Sequence, residues 1–239
     1  MQSTRAALWF VTAVALAAGT RTALAQSDAS PAPGGSAAHP SEAWADEIAR
    51  FEAADRLNPP RPGGVLFVGS SSIGLWPALA ADFPGVAVLQ RGFGGSELGD
   101  VVHYAPRIVL PYQPRLIVLY AGDNDLAAGK SPAAVFETYR GFVGLVRRAL
   151  PETRIAFIAI KPSGARWALV ERTRAANALV RGYAAGDPRL LYVDVFTPML
   201  GPDGTPRDDL FAADRLHMNA RGYALWRDLL APIVRDTAR

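Results

Sequence analysis

The sequence lacks cysteine altogether and has only three histidines, His39, His103 and His217, among its 239 residues. Without cysteine the chain can form neither disulfide bonds nor thiolate zinc sites, and it has no cysteine nucleophile. Three histidines are too few for a histidine-rich metal centre. Carboxylates alone could still hold magnesium or calcium, but no ligand spacing indicates such a site. We therefore expect the protein to work without a bound metal.

The sequence also lacks an apolar run long enough to cross a membrane. Its first 25 residues combine Arg5, an apolar stretch over residues 6–18 and small residues at Ala23 and Ala25. This pattern is typical of a secretory signal peptide that is cleaved after Ala25. A membrane anchor is the alternative, but the stretch is short and Arg21 interrupts it. We expect a signal peptide over these 25 residues and an exported protein, periplasmic or secreted, without a stable membrane anchor.

A strongly basic surface is missing as well. The formal net charge is +3, and loss of Arg5 and Arg21 with the predicted signal peptide, which has no acidic residue, lowers it by two to +1. The other arginines are scattered among acidic residues. Nucleic-acid binding would need a basic face with interleaved aromatic side chains, and none is visible. We expect no nucleic-acid partner.

The chain after the predicted signal peptide divides into a linker and one domain. Residues 26–40 are rich in proline, glycine, serine and alanine, which predicts a flexible linker. A helix over residues 41–56 follows, with Ser41 as its N-cap. Short apolar runs then predict strands at residues 65–68, 86–89, 115–120, 154–160 and 190–195. Helical patterns lie near residues 73–81, 98–110, 132–149, 166–185 and 219–236.

This alternation predicts a three-layer α/β domain over residues 41–239, with about five parallel strands. Functional residues of such sheets collect in the loops that follow the carboxyl ends of the strands. The loop after the first predicted strand contains three consecutive serines, Ser70, Ser71 and Ser72. We therefore ask whether one of these serines is a nucleophile.

A serine hydrolase needs a hydroxyl, a base, a group that orients the base and donors for the developing oxyanion. Asp214 lies three residues before His217, a spacing that lets the carboxylate hold one ring nitrogen while the other accepts a proton. Gly95 and Asn124, in the loops after the second and third strands, could supply oxyanion donors. Each residue also has a structural alternative, because serine, asparagine and aspartate are common in helix caps and turns.

Four blocks together resemble the SGNH hydrolases, also called GDSL-type esterases and lipases, over about residues 64–232. The blocks are Gly69-Ser70-Ser71-Ser72, "RGFGGS" at residues 91–96, Gly122-Asp123-Asn124-Asp125, and Asp214-x-x-His217. The serine block, "GFGGS" and "IKPSGARW" at residues 160–167 are similar to a subgroup related to platelet-activating-factor acetylhydrolase catalytic subunits. The resemblance implies a flavodoxin-like α/β/α fold and ester hydrolysis without cofactor or metal.

By position, the resemblance assigns a catalytic triad of Ser71, Asp214 and His217. It assigns an oxyanion hole to the Ser71 N–H, the Gly95 N–H and the Asn124 side chain. Two residues depart from the family pattern. Ser70 stands where the family name has aspartate, and Gln90 stands where asparagine is frequent, which suggests altered supporting hydrogen bonds.

A rival nucleophile is Ser72. The pattern Ser70-x-Ser72-x-Gly74 also resembles the nucleophile elbow of α/β-hydrolases. That fold puts several strands before the nucleophile, whereas here only a linker and one helix precede the first predicted strand. We therefore favour Ser71 and interpret Ser70 and Ser72 as turn and cap residues.

The expected function is that of a serine esterase that cleaves small-acyl carboxylic esters through an acyl-enzyme, with O-acetyl groups on carbohydrate as one substrate class. The expected partner is a small-molecule or carbohydrate ester. Transfer of the acyl group to another acceptor is an alternative on the same residues. A non-catalytic envelope carbohydrate-binding module is a second alternative. Trp167 could stack on a sugar or anchor the following helix. The sequence indicates no oligomeric state.

Overall fold

A computed structural model describes residues 40–237 of the chain. The predicted signal peptide at residues 1–25 and the predicted linker, apart from Pro40, lie outside the described residues. Both therefore remain predictions. Among residues 40–237, no helix combines the length and the apolar character that crossing a membrane requires.

The centre of the fold is a sheet of five parallel strands, as the alternating pattern predicts. The strands are β1 (Val65–Gly69), β2 (Val88–Gly92), β3 (Leu116–Tyr120), β4 (Arg154–Ile158) and β5 (Leu190–Val193). Their order across the sheet is β2-β1-β3-β4-β5. This is the flavodoxin-like order, in which the chain reverses direction of winding between β1 and β3.

Helices cover both faces of the sheet and complete three layers. The α-helices are α1 (Ala45–Leu57), α2 (Ser71–Gly74), α3 (Leu79–Asp82), α4 (Leu98–Ile108), α5 (Asp123–Ala127), α6 (Pro132–Ala149), α7 (Val170–Ala184) and α8 (Ala220–Thr237). Short 3-10 helices lie at Pro40–Trp44, Leu110–Tyr112, Gly164–Leu169, Thr197–Met199 and Asp208–Leu210.

Alternate residues of each strand point to opposite faces, so the core has two halves. On β1, Leu66 and Val68 pack in a cluster with residues of α1, α4, α6 and α7. Val65 and Phe67 pack on the other face with residues of α2, α3 and α8, among them the buried Trp226. Burial of both faces explains why the strands read as nearly continuous apolar runs.

Some helix and strand boundaries differ from those predicted. A 3-10 helix, Pro40–Trp44, precedes α1, and the N-cap residue of α1 is Trp44 rather than Ser41. The Ser41 hydroxyl donates instead to Asp100 of α4 at 2.5 Å. The helix expected near residues 73–81 is two short helices, α2 and α3, with Pro77 between them. Strand β2 begins two residues later than expected. The five-residue helix α5 was not predicted.

Three neighbouring strands end level with one another, which brings their following loops together. Gly69 of β1 pairs with Gly92 of β2 on one side and with Tyr120 of β3 on the other. Gly69 has φ +139°, and a Cβ atom there would lie 1.8 Å from the Tyr120 carbonyl oxygen. No other residue type fits this position without moving β1 away from β3.

We expect Gly69→Ala to lower the free energy of unfolding by at least about 3 kcal/mol, because it adds both backbone strain and a steric clash. Urea unfolding measures the change. Gly99→Ala is the matched control, since a Cβ at Gly99 in α4 meets no atom within 4 Å. The control should change stability by less than about 1 kcal/mol. Equal stability of the two variants would contradict the close approach of β1 to β3.

Candidate active site

Ser71 lies at the start of helix α2, directly after the turn that ends β1. It is partly exposed, whereas Ser70 and Ser72 are 3% and 2% exposed. The Ser71 Oγ lies 3.1 Å from the His217 Nε2, across 146 residues of sequence. Of the three serines, Ser71 is therefore the one that contacts the histidine and faces solvent.

Asp214 holds the other side of the His217 ring. Its Oδ2 lies 2.6 Å from the His217 Nδ1, and its Oδ1 accepts the backbone N–H groups of Leu216 and His217, each at 2.9 Å. These hydrogen bonds, with the Leu216 N–H contributing most, lower the pKa of the Asp214 carboxyl to about 2. The carboxylate is thus ionised at neutral pH and ready to accept the Nδ1–H.

The loop that carries Asp214 and His217 is fixed against the loop after β4. Arg215, between the two residues, has a left-handed φ of +53°, which is uncommon for a residue with a side chain. Its carbonyl oxygen accepts the Ala165 N–H at 3.1 Å. A Cβ at Gly164 would lie 2.7 Å from the Arg215 side chain, so glycine allows the two loops to approach.

Together, Ser71, His217 and Asp214 form a continuous chain of hydrogen bonds. In the tautomer whose Nδ1–H donates to Asp214, the His217 Nε2 carries a lone pair that can accept the Ser71 proton. Such a chain can activate a hydroxyl for attack on a carbonyl carbon.

These residues line a cleft of about 520 Å³ at the carboxyl ends of β1, β2 and β3. The other predicted site residues, Gly95 and Asn124, line the same cleft. The full set of lining residues is Glu47, Ser70, Ser71, Gly74, Leu75, Gly92, Gly94, Gly95, Asp123, Asn124, Lys161, Arg166, Leu216 and His217. The structure thus brings every residue of the predicted site into one cleft, except for Asp214, which lies behind the histidine.

The Asn124 side chain has hydrogen bonds at both ends of its amide. Its Nδ2 donates to the Ser96 carbonyl oxygen at 2.8 Å, and its Oδ1 accepts from Arg166 Nη2 at 2.9 Å. Gly95, on the adjacent loop, has φ +76°. A Cβ at Gly95 would meet nothing within 4 Å, so the backbone conformation rather than space favours glycine there.

A charged cluster in the wall of the cleft was missed by sequence reasoning. Lys161 Nζ lies 3.1 Å from Asp123 Oδ2 and 3.0 Å from the Tyr120 hydroxyl, and Arg166 Nη1 lies 2.8 Å from Asp123 Oδ1. Burial alone would raise the pKa of the Asp123 carboxyl, but the two cations outweigh that effect and lower it. The segment "IKPSGARW", which contains both cations, was the signal in the sequence.

The N-terminal helical segment also reaches the site, which sequence reasoning did not anticipate. The Trp44 indole N–H donates to the Gly94 carbonyl oxygen at 2.7 Å, and its ring packs edge-on against Phe93. Asp125, buried in α5, accepts the Leu98 N–H at 2.8 Å. The loop that contains Gly95 is therefore fixed from both sides.

Three further sequence expectations concern Ser70, Gln90 and Trp167. Ser70 occupies the N-cap position of α2, but its side chain makes no capping hydrogen bond, so the expected cap role is wrong for its hydroxyl. Gln90 donates from Nε2 to the carbonyl oxygens of Ile73 at 2.5 Å and Trp76 at 3.2 Å, which ties β2 to the serine loop. Trp167 is partly buried and does not line the cleft.

Within residues 40–237, no group of three or more histidine, aspartate or glutamate side chains is arranged to hold a metal ion.

A family model described as GDSL-like Lipase/Acylhydrolase matches residues 64–225. A search of curated protein sequences finds no match. Among solved structures, the chain is similar to a protein from Streptococcus pneumonia that was provisionally named a platelet activating factor, with 18% identity, TM-score 0.70 and coverage of 79% of this chain and 92% of that one.

Two other solved structures share the fold. A GDSL-like lipase from Bacteroides thetaiotaomicron has 18% identity and TM-score 0.65, with coverage of 82% of this chain and 98% of that one. A carbohydrate esterase of family 3 from Talaromyces cellulolyticus has 15% identity and TM-score 0.54, with coverage of 74% and 98% respectively.

The lowered pKa of Asp214 predicts an ionised carboxylate in strongly acidic solution. The pKa of Asp214 is about 2 in the folded protein, against an ordinary value of 3.8. The ionised carboxylate therefore stabilises the folded state at pH values above 3.8, and this contribution is lost as the pH falls through about 2. The carboxyl carbon chemical shift should stay constant from about pH 5 to about pH 3. NMR measures it, with Asp214→Asn to assign the signal. A titration midpoint near the ordinary value would contradict the hydrogen bonds described.

Proposed function

The chain belongs to the GDSL-like lipase/acylhydrolase family, and from this premise we propose that it is a serine esterase that cleaves small-acyl carboxylic esters. The observation that carries the proposal is the hydrogen-bond chain from Asp214 through His217 to Ser71. In this proposal Ser71 is the nucleophile, His217 the general base and acid, and Asp214 the group that orients the ring.

The first half of the reaction forms an acyl-enzyme. The Ser71 Oγ attacks the ester carbonyl carbon while its proton moves to His217 Nε2. The carbonyl oxygen becomes an oxyanion, which accepts hydrogen bonds from the Ser71 N–H, the Gly95 N–H and the Asn124 amide. The tetrahedral intermediate then expels the alcohol, which takes the proton from His217.

The second half releases the acid. A water molecule gives a proton to His217 Nε2 and attacks the acyl carbon, the same donors hold the second oxyanion, and His217 returns the proton to Ser71 Oγ. The acyl group leaves as a carboxylic acid, so that one ester and one water become one alcohol and one acid.

The lining of the cleft supports a substrate with a small acyl group and a polar alcohol part. Leu75 and Leu216 are the only large apolar side chains among the lining residues, whereas Glu47, Asn124 and Arg166 are polar or charged. A long acyl chain would contact only these two large apolar side chains among the lining residues. We propose O-acetyl groups on carbohydrate as a substrate class, and the likeness to the carbohydrate esterase from Talaromyces cellulolyticus supports it.

We further propose that the enzyme acts outside the cytoplasm, because residues 1–25 have the pattern of a signal peptide.

Acyl transfer to a sugar hydroxyl uses the same acyl-enzyme. Product analysis with an added sugar acceptor separates it from hydrolysis, since transfer yields the acylated acceptor in place of free acid.

Ser71→Ala should abolish hydrolysis of p-nitrophenyl acetate, because the nucleophile is removed. Ser72→Ala is the matched control and should keep most of the activity, since Ser72 does not contact His217. A fluorophosphonate probe should label the wild type and Ser72→Ala but not Ser71→Ala. Loss of activity in Ser72→Ala alone would move the nucleophile to Ser72. Absence of labelling in all three proteins would favour a carbohydrate-binding module.

Asn124→Ala should lower kcat by about 10²–10³, the usual effect of removing one oxyanion donor. Its KM should change little, because the hydrogen bond strengthens only as the oxyanion develops. Steady-state kinetics with p-nitrophenyl acetate measure both constants. Asn58→Ala, at an exposed residue just after α1, is the control and should match the wild type. Full activity of Asn124→Ala would exclude the proposed donor.

A further inference from the structure

We propose that Arg166 is a positioning residue that fixes the orientation of the Asn124 side-chain amide in the cleft. This inference rests on the proposed function, in which the Asn124 amide holds the oxyanion. Its basis is the hydrogen bond from Arg166 Nη2 to Asn124 Oδ1, at 2.9 Å across 42 residues of sequence. Arg166 itself lies in the segment Gly164–Leu169 after β4, at a kink where its backbone is not helical (φ −121°, ψ 21°).

The partners of Asn124 define which way its amide points. The Arg166 guanidinium can only donate, so it selects the amide oxygen. The Ser96 carbonyl can only accept, so it selects the amide nitrogen, at 2.8 Å. If the amide were flipped, its N–H groups would face the Arg166 guanidinium N–H groups, and its oxygen would face the Ser96 carbonyl oxygen. The Asn124 side chain has no further hydrogen bond among residues 40–237, so one N–H is left for the cleft.

Arg166 is in turn held in place from behind. Its Nη1 lies 2.8 Å from Asp123 Oδ1, and the other oxygen of Asp123 lies 3.1 Å from Lys161 Nζ. The Lys161 side chain is 1% exposed and the Asp123 side chain 11%, so solvent screens this pair weakly. The chain of contacts from Lys161 through Asp123 to Arg166 gives the guanidinium a fixed position.

The charge of Arg166 also acts on the amide. A cation that donates to the Asn124 oxygen draws electron density from the amide, which strengthens the N–H groups as donors. Stronger N–H donors stabilise an oxyanion more than a neutral carbonyl oxygen, so the effect should appear in kcat rather than in KM.

The test is a double-mutant cycle between Arg166 and Asn124. Arg166→Met keeps an unbranched side chain but removes every hydrogen-bond donor of the guanidinium. It should lower kcat by about 10- to 100-fold and leave KM within about twofold of the wild-type value. In an Asn124→Ala background, Arg166→Met should have almost no further effect on kcat, because Arg166 acts through the amide. Independent effects that multiply in the double variant would overturn the proposal.

Two further variants separate positioning from folding and from substrate binding. Arg166→Lys keeps the positive charge and a donor group, so its kcat should lie between those of Arg166→Met and the wild type. If Arg166→Met does not fold, Arg166→Lys replaces it in the double-mutant cycle. Arg172→Met is the matched control: Arg172 donates to the Gly129 and Lys130 carbonyl oxygens, outside the cleft, and its loss should leave kcat unchanged. Thermal unfolding checks that each variant is folded.

The outcomes distinguish this inference from the proposed function. A raised KM with unchanged kcat in Arg166→Met would make Arg166 a substrate-binding residue and overturn the positioning role. Activity in Ser71→Ala would overturn the esterase mechanism itself. An inactive Ser71→Ala together with multiplying effects of Arg166→Met and Asn124→Ala would overturn the positioning role alone.

Discussion

The close approach of β1 to β3 at Gly69 is the constraint on which the site depends. Gly92, Gly69 and Tyr120 lie side by side at the ends of three neighbouring strands. Ser71 follows Gly69 by two positions, Gly95 follows Gly92 by three, and Asn124 follows Tyr120 by four. A short continuation of each strand therefore carries one proposed oxyanion donor into the same cleft. A side chain at Gly69 would separate the strands and with them the donors.

The sheet brings the loops together, but side-chain hydrogen bonds fix their conformations. Gln90 holds the serine loop, Trp44 holds the glycine loop through the Gly94 carbonyl, and Arg166 holds Asn124. Each donor reaches a carbonyl or amide oxygen on a different segment of the chain from its own. Trp44 precedes residues 64–225, the segment that the family model matches. Loop geometry of this kind depends on contacts between elements more than on local sequence.

Local sequence patterns predicted the sheet and the longer helices, because periodicity is a local property. The resemblance to family motifs assigned the candidate site residues Ser71, Gly95, Asn124, Asp214 and His217. The local patterns predicted one helix where Pro77 separates two, and missed α5, whose five residues are too few for a helical period. They could not reveal the contact of Ser41 with Asp100, or that of Arg166 with Asn124, since these partners lie 59 and 42 residues apart. Only the folded chain brings such residues together.

The charges around the cleft follow the direction in which charge separates in the proposed reaction. Positive charge develops on His217, which lies against the Asp214 carboxylate at 2.6 Å. Negative charge develops at the oxyanion, beside the amide that Arg166 polarises. These charges are fixed before substrate arrives, so they need no reorganisation as the transition state forms. Asp123 contacts Lys161 as well as Arg166, and the two cations lower the pKa of its carboxyl, so the carboxylate stays ionised and able to hold the Arg166 guanidinium.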